Sequence, residues 1–327
     1  MTTSERIKTV GATQYVNYSA EEFYTLQNWL PRDLAAEKVV FFPDACPGQA
    51  PLPTGCAVKI PAGKEWMKYS LSDTGCGMLL LESKLRYFDD AGDAQFDRAK
   101  WDEVGLRMKE NRGKLGDLGG GNHFLDAIVD YESGNLSFLI HTGSRTESGL
   151  LDDLVGDERR FKAEYARVTD WARQNRAAIG RIVQDVFGEC EQILDLAHNS
   201  FETLADGSTI IRKGVVRAAE GSLTVLPSSM NGDVSLLRMR AAVDGALNSI
   251  SHGTGRTMSR SEAKKASESY DFAALRKGIY IPDYIQDIAL RTEGPHCYRG
   301  LDACLALVGD LAEEVKRYTV VAYLGGL

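Results

Sequence analysis

A helical pattern runs directly into a strand pattern in RFKAEYARVTDWARQNRAAIGRIVQDVFGECEQILDLAH (160–198), which indicates a protein that mixes both elements. Apolar side chains recur every three or four residues, as on one face of an amphipathic helix, at Phe161, Tyr165, Val168, Trp171 and Ala172. Gly188 is a suitable stop, so we predict a helix from about Arg160 to Gly188. The following run ILDLAH (193–198) is typical of a short buried strand.

Four other apolar runs are ended by turn residues and predict further strands: VVFFP (39–43), LSFLIH (136–141), TIIRKG (209–214) and SLTVLP (222–227). A second helix is predicted over DACLALVGDLAEEVKR (302–317). Strands and helices follow one another without a strict βαβ rhythm, and no repeat or linker divides the chain. We therefore expect an α+β (mixed α/β) protein with a single domain over residues 1–327.

The bulk composition is that of a globular protein. Of 327 residues, 43% are hydrophobic and 26% are charged, which argues against a disordered chain. The formal net charge is −8, so the overall field does not steer the protein to nucleic acid. Any contact with nucleic acid must therefore come from a local basic patch.

The compartment is predicted from apolar runs and cysteines. No run approaches the roughly 20 apolar residues that span a bilayer, and the first residues lack a signal-like apolar stretch. We expect a cytoplasmic protein without a membrane partner. Six cysteines, at positions 46, 56, 76, 190, 297 and 304, include no CxxC pair. In a reducing compartment they are free thiols or single metal ligands.

The five histidines stand in unusual settings. His141 and His198 each end a strand-like run, His123 follows a glycine run in GDLGGGNHF (116–124), and His252 lies in SHGTGRTMSR (251–260). A lone histidine in such a place is more often a satisfied, partly buried side chain. Four of them together favour a shared site, since strand ends aim rigid imidazole ligands into a cleft.

The segment SDTGCGM (72–78) adds Asp73 and Cys76, three residues apart, with glycines on both sides of the thiol. A thiolate in that setting can bridge two cations, and the carboxylate supplies a hard oxygen ligand. Such Cys/His/Asp sets suit Mn²⁺, Zn²⁺, Fe²⁺ or Co²⁺. The competing interpretation is a turn with a buried free cysteine.

Two further features concern an anionic ligand. The glycine run before Asn122 could cradle a phosphate, but it lacks the Lys-Ser/Thr ending of a P-loop and is a weak signature by itself. Basic residues that could meet an anion are Arg256, Arg260, Lys264 and Lys265, with Arg212 and Lys213. A solvated charged face is the competing interpretation, and we favour it for Lys264 and Lys265.

Taken in order, several segments resemble the RtcB-type RNA ligases, which seal RNA 3′-phosphate or 2′,3′-cyclic phosphate ends to 5′-hydroxyl ends. The matching pieces are PDACPG (43–48), DTGCGM (73–78), LGGGNHF (118–124), HTGSR (141–145), WARQNR (171–176), AHN (197–199), RKGVVRA (212–218), HGTGRTMSR (252–260) and PHCYRGLD (295–302). They run through most of the chain in the family's order. The resemblance implies a mixed α/β fold with sheets around a deep, metal-lined cleft.

The resemblance also implies a centre of two Mn²⁺ ions. Cys76 would bridge them, with His141 and His198 completing one site and Asp73 and His123 the other. His252 matches the nucleophile that attacks GTP to form a guanylyl-histidine, and Asp44 would hold its other ring nitrogen. Contacts to the guanylate are implied for Asn122, Asp126, Ser229, Ser235, Thr254, Gly255 and Tyr298, and a contact to the RNA phosphate for Arg145.

This sequence departs from the family's pattern at several positions. Cys46 stands where the family usually has histidine, and Asp126 stands where a glutamate recognises guanine. The segment PSSMNGDVS (227–235) holds one residue more than the family's form. The last residues, VVAYLGGL, lack the usual nucleotide-contacting lysine, and the chain is shorter than typical members.

These departures leave three functions open. The first is a GTP- and Mn²⁺-dependent RNA ligase, serving RNA repair rather than tRNA splicing. The second is a metal-dependent phosphoesterase that opens 2′,3′-cyclic phosphates without ligation, which the changes at Asp126 and in the last residues motivate. The third is a non-catalytic RNA-binding descendant. The resemblance also makes an archease-type activator a candidate partner.

Overall fold

The computed structural model describes residues 5–47, 51–69, 73–88, 96–144, 147, 149 and 151–327. In those ranges the α-helices are α1 (Phe23–Asn28), α2 (Arg98–Glu110), α3 (Glu158–Phe187), α4 (Arg260–Ala266), α5 (Phe272–Gly278), α6 (Asp287–Leu290) and α7 (Leu301–Val308). The strands are β1 (Ile7–Val10), β2 (Thr13–Asn17), β3 (Lys38–Cys46), β4 (Thr54–Ile60), β5 (Gly77–Arg86), β6 (Phe124–Asp130), β7 (Asn135–Thr142), β8 (Cys190–Ala197), β9 (Asn199–Thr203), β10 (Thr209–Lys213), β11 (Val215–Arg217), β12 (Leu223–Pro227), β13 (Asp233–Met239), β14 (Ser249–Ser251) and β15 (Ala312–Gly325).

The larger sheet has seven strands in the order β12-β13-β15-β6-β7-β5-β8, and its neighbours are antiparallel. Its register brings four strand ends together at one edge. Phe124 at the start of β6 pairs with His141, and Gly77 at the start of β5 pairs with both Thr142 and Ala197. The residues next to these positions carry the predicted metal ligands, so the register alone places them at one edge.

The smaller sheets approach the same edge. A six-stranded sheet has the order β1-β2-β3-β4-β10-β9, with β2 and β3 parallel and the other pairs antiparallel. Asp44 lies near the end of β3, where the pairing with β4 is irregular between Phe41 and Cys46. A short ribbon of β11 and β14 ends immediately before His252. The strand that carries Asp44 and the ribbon that carries His252 therefore end near each other.

Helices α2 and α3 cover one face of the seven-stranded sheet. Trp101, Phe138, Ile179 and Val183 are completely buried in this core. Burying one such large apolar side chain stabilises a fold by about 1.5–3 kcal/mol. The apolar stripe of α3 therefore fixes this helix against the sheet, next to the edge that carries the site.

The fold class is confirmed, and so are the five predicted strands and the long helix, which spans Glu158–Phe187. The predicted helix over 302–317 is wrong in its second half. Helix α7 ends at Val308, and β15 begins at Ala312 with β13 and β6 on either side. Helix propensity is worth less than about 1 kcal/mol per residue, so strand pairing with β13 overrides it in AEEVKR. None of the described helices combines the length and apolar character needed to cross a bilayer.

Candidate metal and nucleotide site

Strand ends from both large sheets meet at a cavity of about 850 Å³. Asp44 and Cys46 of β3 and Lys213 of β10 line one side, whereas Phe124 of β6 and His141 of β7 line another. A cavity of this size can hold a nucleotide with space for a second substrate. Most of the residues that the sequence singles out for chemistry lie in or beside this cleft.

Five predicted metal ligands converge at its base. The Cys76 Sγ atom lies 3.3 Å from His141 Nε2 and 3.5 Å from His123 Nε2. His141 Nε2 is 3.3 Å from His198 Nε2, and His123 Nε2 is 2.9 Å from an Asp73 carboxylate oxygen. Cys76 and the three histidines are each at most 4% exposed, so the cluster is shielded from water.

The donor atoms form two groups that share one member. Cys76, His141 and His198 make the first group and Asp73, Cys76 and His123 the second, with donor atoms within 4.8 Å of one another. These are the two groups that the family resemblance implies. Nitrogen, thiolate and carboxylate donors suit a transition-metal ion such as Mn²⁺ or Zn²⁺, so the residues fit the pair of ions expected there.

The protonation of the histidines also fits metal binding. His141 Nδ1 lies 3.0 Å from the Asn122 carbonyl oxygen, which can only accept, so Nδ1 carries a proton and Nε2 of the neutral ring is left with its lone pair. Burial lowers the pKa of His141 and of His198 well below the usual range, which keeps both rings neutral. Burial raises the pKa of the Cys76 thiol, so a nearby cation is what would hold it as thiolate.

One turn of α3 supports the backbone around these ligands. Arg176, 3% exposed, forms an ion pair with Asp195 at 2.5 Å and donates to the Gly75 carbonyl at 2.8 Å. Asn175 accepts a hydrogen bond from the Gly116 amide at 2.7 Å and donates to the Asp117 carbonyl at 2.9 Å. The WARQNR segment is therefore a structural support for the two loops that carry Cys76 and His123.

The predicted nucleophile lies beside this cluster. His252 Nδ1 is 2.6 Å from the Gly214 carbonyl oxygen and 2.8 Å from Asp44 Oδ2. Because the carbonyl can only accept, Nδ1 carries a proton, and in the neutral form of the ring Nε2 has the free lone pair. Asp44 is 1% exposed, and burial raises the pKa of its carboxyl while the contact with His252 opposes that shift.

Most residues expected near the guanylate line the cleft: Asn122, Asp126, Ser229, His252, Thr254, Gly255 and Tyr298. Gly255 is required sterically, since a Cβ atom there would lie 2.4 Å from the Asp44 Cα atom. Ser235 is the exception. Its hydroxyl donates to Glu314 on β15 at 2.5 Å, and it is not among the lining residues. Ser228, which precedes the predicted Ser229, also lines the cleft.

Asp126 is a buried carboxyl on the base of the cleft. It is 3% exposed, and its Oδ1 atom has no hydrogen-bond partner in the part of the chain that the structure describes. Burial raises the pKa of this carboxyl well above its ordinary value. Tyr323 of β15 stands opposite it in the strand register and also lines the cleft.

A carboxylate that no sequence motif indicated organises the basic wall of the cleft. Glu293 accepts hydrogen bonds from Arg256 at 3.0 Å, from Arg260 at 3.3 Å and from the Tyr298 hydroxyl. Arg299, likewise not predicted, donates to the Arg256 carbonyl at 2.7 Å. The one sequence signal for Glu293 is its position two residues before the PHCYRGLD segment. The two predicted arginines therefore lie in the cleft, held by Glu293.

The other basic residues have different places. Arg212 is 1% exposed and paired with Glu202 at 3.0 Å, away from the cleft lining, so the expectation that it meets an anion is wrong. Lys213 lines the cleft, but its ammonium donates to the Leu52 carbonyl at 2.6 Å. Lys264 and Lys265 are exposed, as expected for a solvated face. Arg145 lies outside the described residues.

The chain is similar in sequence to a group of RNA ligases. Residues 157–326 match the family model described as tRNA-splicing ligase RtcB. RNA-splicing ligase RtcB2 of Escherichia coli is 30% identical over 84% of this chain and 84% of that protein. RNA-splicing ligase RtcB of Escherichia coli K12 is 27% identical over 65% of this chain and 61% of that protein. tRNA-splicing ligase RtcB of Nanoarchaeum equitans is 29% identical over 70% of this chain and 64% of that protein.

Proposed function

The chain belongs to the RtcB family of RNA ligases, and on that premise we propose that it joins RNA 3′-phosphate or 2′,3′-cyclic phosphate ends to 5′-hydroxyl ends, using Mn²⁺ and GTP. The observation that carries the proposal is the position of His252. Its ring lies 4.2 Å, between centroids, from the ring of the candidate metal ligand His198. A nucleophile in contact with a metal centre suits phosphoryl transfer.

The five donors would hold two Mn²⁺ ions, since they form two groups and Cys76 belongs to both. The chemistry that such ions supply is neutralisation of the triphosphate and of the departing pyrophosphate. The protein's own part is to hold donors in fixed places. Buried neutral rings of His141 and His198, and the backbone fixed by Arg176, keep the site organised before the substrate arrives.

His252 would act as the nucleophile through Nε2. The lone pair of Nε2 forms the bond to the α-phosphorus of GTP while the bond from that phosphorus to the pyrophosphate oxygen breaks, and the electron pair leaves with pyrophosphate. The Nδ1 proton stays on the ring, held by Gly214 and Asp44. The buried Asp44 carboxylate stabilises the positive charge that the ring gains in this step.

The remaining steps transfer the guanylyl group to RNA. Any cyclic phosphate is first hydrolysed, an oxygen of the 3′-phosphate then takes GMP from His252, and the 5′-hydroxyl attacks that phosphate and releases GMP. Arg256 and Arg260 would contact the RNA phosphates, because they are the cations that Glu293 holds in the cleft wall. A local basic wall of this kind offsets the net charge of −8.

One observation favours a second function. Asp126 is shorter than the glutamate expected for guanine recognition, and its buried carboxyl has one oxygen without a partner among the described residues. Weak nucleotide binding there would leave a metal-dependent phosphoesterase that opens 2′,3′-cyclic phosphates without ligation. A non-catalytic RNA-binding descendant has less support, since all five donors and His252 are brought together.

The proposed setting of the reaction is a single catalytic domain in the cytoplasm. Residues as far apart in sequence as Asp44 and Tyr323 line the same cleft, which favours one domain. The six cysteines are free thiols, and one is a candidate metal donor, which suits a reducing compartment. RNA repair is the proposed role, and an archease-type activator is a candidate partner.

The test uses GTP labelled on the α-phosphate. The purified protein is mixed with Mn²⁺ and labelled GTP and run on a denaturing gel beside His252→Ala and His296→Ala. His296 is the matched control, because its ring packs on Tyr270 at 4.6 Å and is not among the cleft residues. We expect label on the wild type and on His296→Ala and none on His252→Ala.

Other outcomes would redirect the proposal. Label on His252→Ala would exclude this histidine as the nucleophile. Label with ATP but not GTP would mean that Asp126 has changed the base preference. No label with any nucleotide, together with opening of a cyclic-phosphate RNA that is never joined, would replace ligation by the phosphoesterase function.

A further inference from the structure

Asn199, the residue after the candidate ligand His198, bridges two loops of the site. Its side-chain Nδ2 donates to the Asp73 carbonyl oxygen at 3.2 Å. Its side-chain Oδ1 accepts a hydrogen bond from the Gly214 amide at 2.9 Å. Its own carbonyl accepts from the Gly75 amide at 3.0 Å. One residue therefore fixes both the loop that carries Asp73 and Cys76 and the turn at Gly214.

The turn at Gly214 is in direct contact with the nucleophile. The Gly214 carbonyl accepts from His252 Nδ1 at 2.6 Å and from the His252 amide at 3.2 Å. The next residue, Val215, donates its amide to the His198 carbonyl at 2.8 Å. A continuous series of hydrogen bonds thus runs from the Asp73 loop through Asn199 and Gly214 to the ring of His252.

Little space is left for this turn to move. Gly214 has a φ of +66°, and a Cβ atom there would lie 2.6 Å from Thr54 Cγ2 and 3.3 Å from His252 Cε1. A displaced Gly214 would carry its carbonyl away from His252 Nδ1. The position of that carbonyl therefore sets the orientation of the ring and the nitrogen that carries the proton.

We propose that Asn199 is a positioning residue that couples the metal-binding loop to the nucleophile, so that the two halves of the site are held in one geometry. The expected effect on the rate of guanylyl-histidine formation rests on the proposed function. The expected effect on the orientation of the His252 ring does not. An amide is suited to the task, because it offers a donor to the Asp73 carbonyl and an acceptor to the Gly214 amide at once. Aspartate keeps only the acceptor, and alanine keeps neither.

The experiment compares Asn199→Ala and Asn199→Asp with the control Ser200→Ala. Ser200 is the next residue of β9, where side chains alternate between faces, and it takes no part in the bridge. The first readout is the ¹⁵N NMR signature of the His252 ring in metal-free protein, assigned against His252→Ala. Five histidines in the chain keep this spectrum simple. The second is the rate of guanylyl-histidine formation at saturating Mn²⁺.

We expect Asn199→Ala to lose the Nδ1-protonated signature of His252 and to slow labelling at least about tenfold. Asn199→Asp should keep the ring signature, because its carboxylate still accepts from Gly214, while its Mn²⁺ binding isotherm departs from that of the wild type. Ser200→Ala should match the wild type in every readout.

The inference is overturned if Asn199→Ala keeps both the wild-type ring signature and the wild-type labelling rate. If Asn199→Ala does not fold, Asn199→Asp provides the test. This variant keeps the acceptor for the Gly214 amide, so loss of the His252 ring signature in it would contradict a role for that contact. A wild type that forms no guanylyl-histidine would defeat the proposed function. The ring signatures would still decide whether Asn199 positions His252.

Discussion

The rings of His198 and His252 are in contact in a tilted arrangement, with centroids 4.2 Å apart and planes inclined by 35°. One ring belongs to the candidate metal cluster and the other is the candidate nucleophile. Because the two rings are in contact, a change in the position of His198 also changes the surroundings of the His252 ring. Metal content, labelling rate and stability can nevertheless be measured separately. They report on the metal donors, the Asp44 carboxylate, the backbone at Gly214 and the buried Asp126.

The sharing of Cys76 between the two donor groups predicts an unequal loss of metal. Cys76→Ser should lose both ions, whereas His123→Ala should lose one, because His123 belongs to a single group. Metal content per chain after loading with Mn²⁺ and gel filtration measures this directly. Cys46→Ser, which changes a cleft thiol outside both groups, should keep the wild-type content. Two ions bound to Cys76→Ser would show that the thiolate is not a shared ligand.

Asp44→Asn should slow the formation of guanylyl-histidine by about 10–100-fold, the usual effect of removing a carboxylate that orients a functional histidine. The amide keeps the size of the side chain but not the charge that stabilises the ring in the attack. Single-turnover labelling with saturating GTP gives the rate. Metal content should be unchanged, since Asp44 is in neither donor group. An unchanged rate would mean that the Gly214 carbonyl alone orients His252.

Gly214→Ala should abolish labelling and lower stability, because the position has both a positive φ and no space for a Cβ atom. Gly134→Ala is the matched control, with a φ of +69° and no atom within 4 Å of the added Cβ. Both variants incur the conformational cost of about 1–2 kcal/mol for a left-handed residue. The thermal unfolding temperature should therefore fall in both, but labelling should fail in Gly214→Ala alone. Equal labelling in the two variants would contradict the tight fit at this turn.

Asp126→Asn should change the pH dependence of stability. Burial raises the pKa of this carboxyl above 3.8, so the folded state favours the protonated acid. The Asp126 carboxyl makes its full contribution to stability at a pH below its pKa in the unfolded chain. That contribution is lost as the pH rises through its pKa in the folded protein. The amide is neutral at every pH. Relative to the wild type, the variant should therefore become more stable as the pH rises, by roughly 1–3 kcal/mol for a buried polar group without its partner.

Urea unfolding from about pH 5 to pH 8, with a chelator present in every sample, measures this difference. Asp302→Asn, which changes a carboxylate at the surface, serves as the control and should show no such trend. A difference between Asp126→Asn and the wild type that does not vary with pH would show that the carboxyl titrates as an ordinary exposed acid.

His141 and His198 were singled out because each ends an apolar run, and His123 and Cys76 because glycines stand beside them. The division of the five donors into two groups came from the family resemblance. The places of Glu293 and Tyr323 in the site could not be predicted, because their partners are far away in sequence. Glu293 meets Arg256 only after the chain has folded, and Tyr323 meets Asp126 only through strand pairing. The segment around Ala312 was assigned to a helix for a similar reason. Its local preference is helical, and its pairing partners on β13 are too distant in sequence to enter a local prediction.

The central place of β15 has a consequence for biosynthesis. This strand, Ala312–Gly325, lies between β13 and β6 and so joins the pair β12-β13 to the four strands that carry the metal ligands. A chain still being translated can make both parts, but it cannot close the sheet until this segment has left the ribosome. Such long-range pairing is slow and leaves strand edges open. Chaperone protection of the nascent chain should therefore matter most in the interval before residues 312–325 emerge.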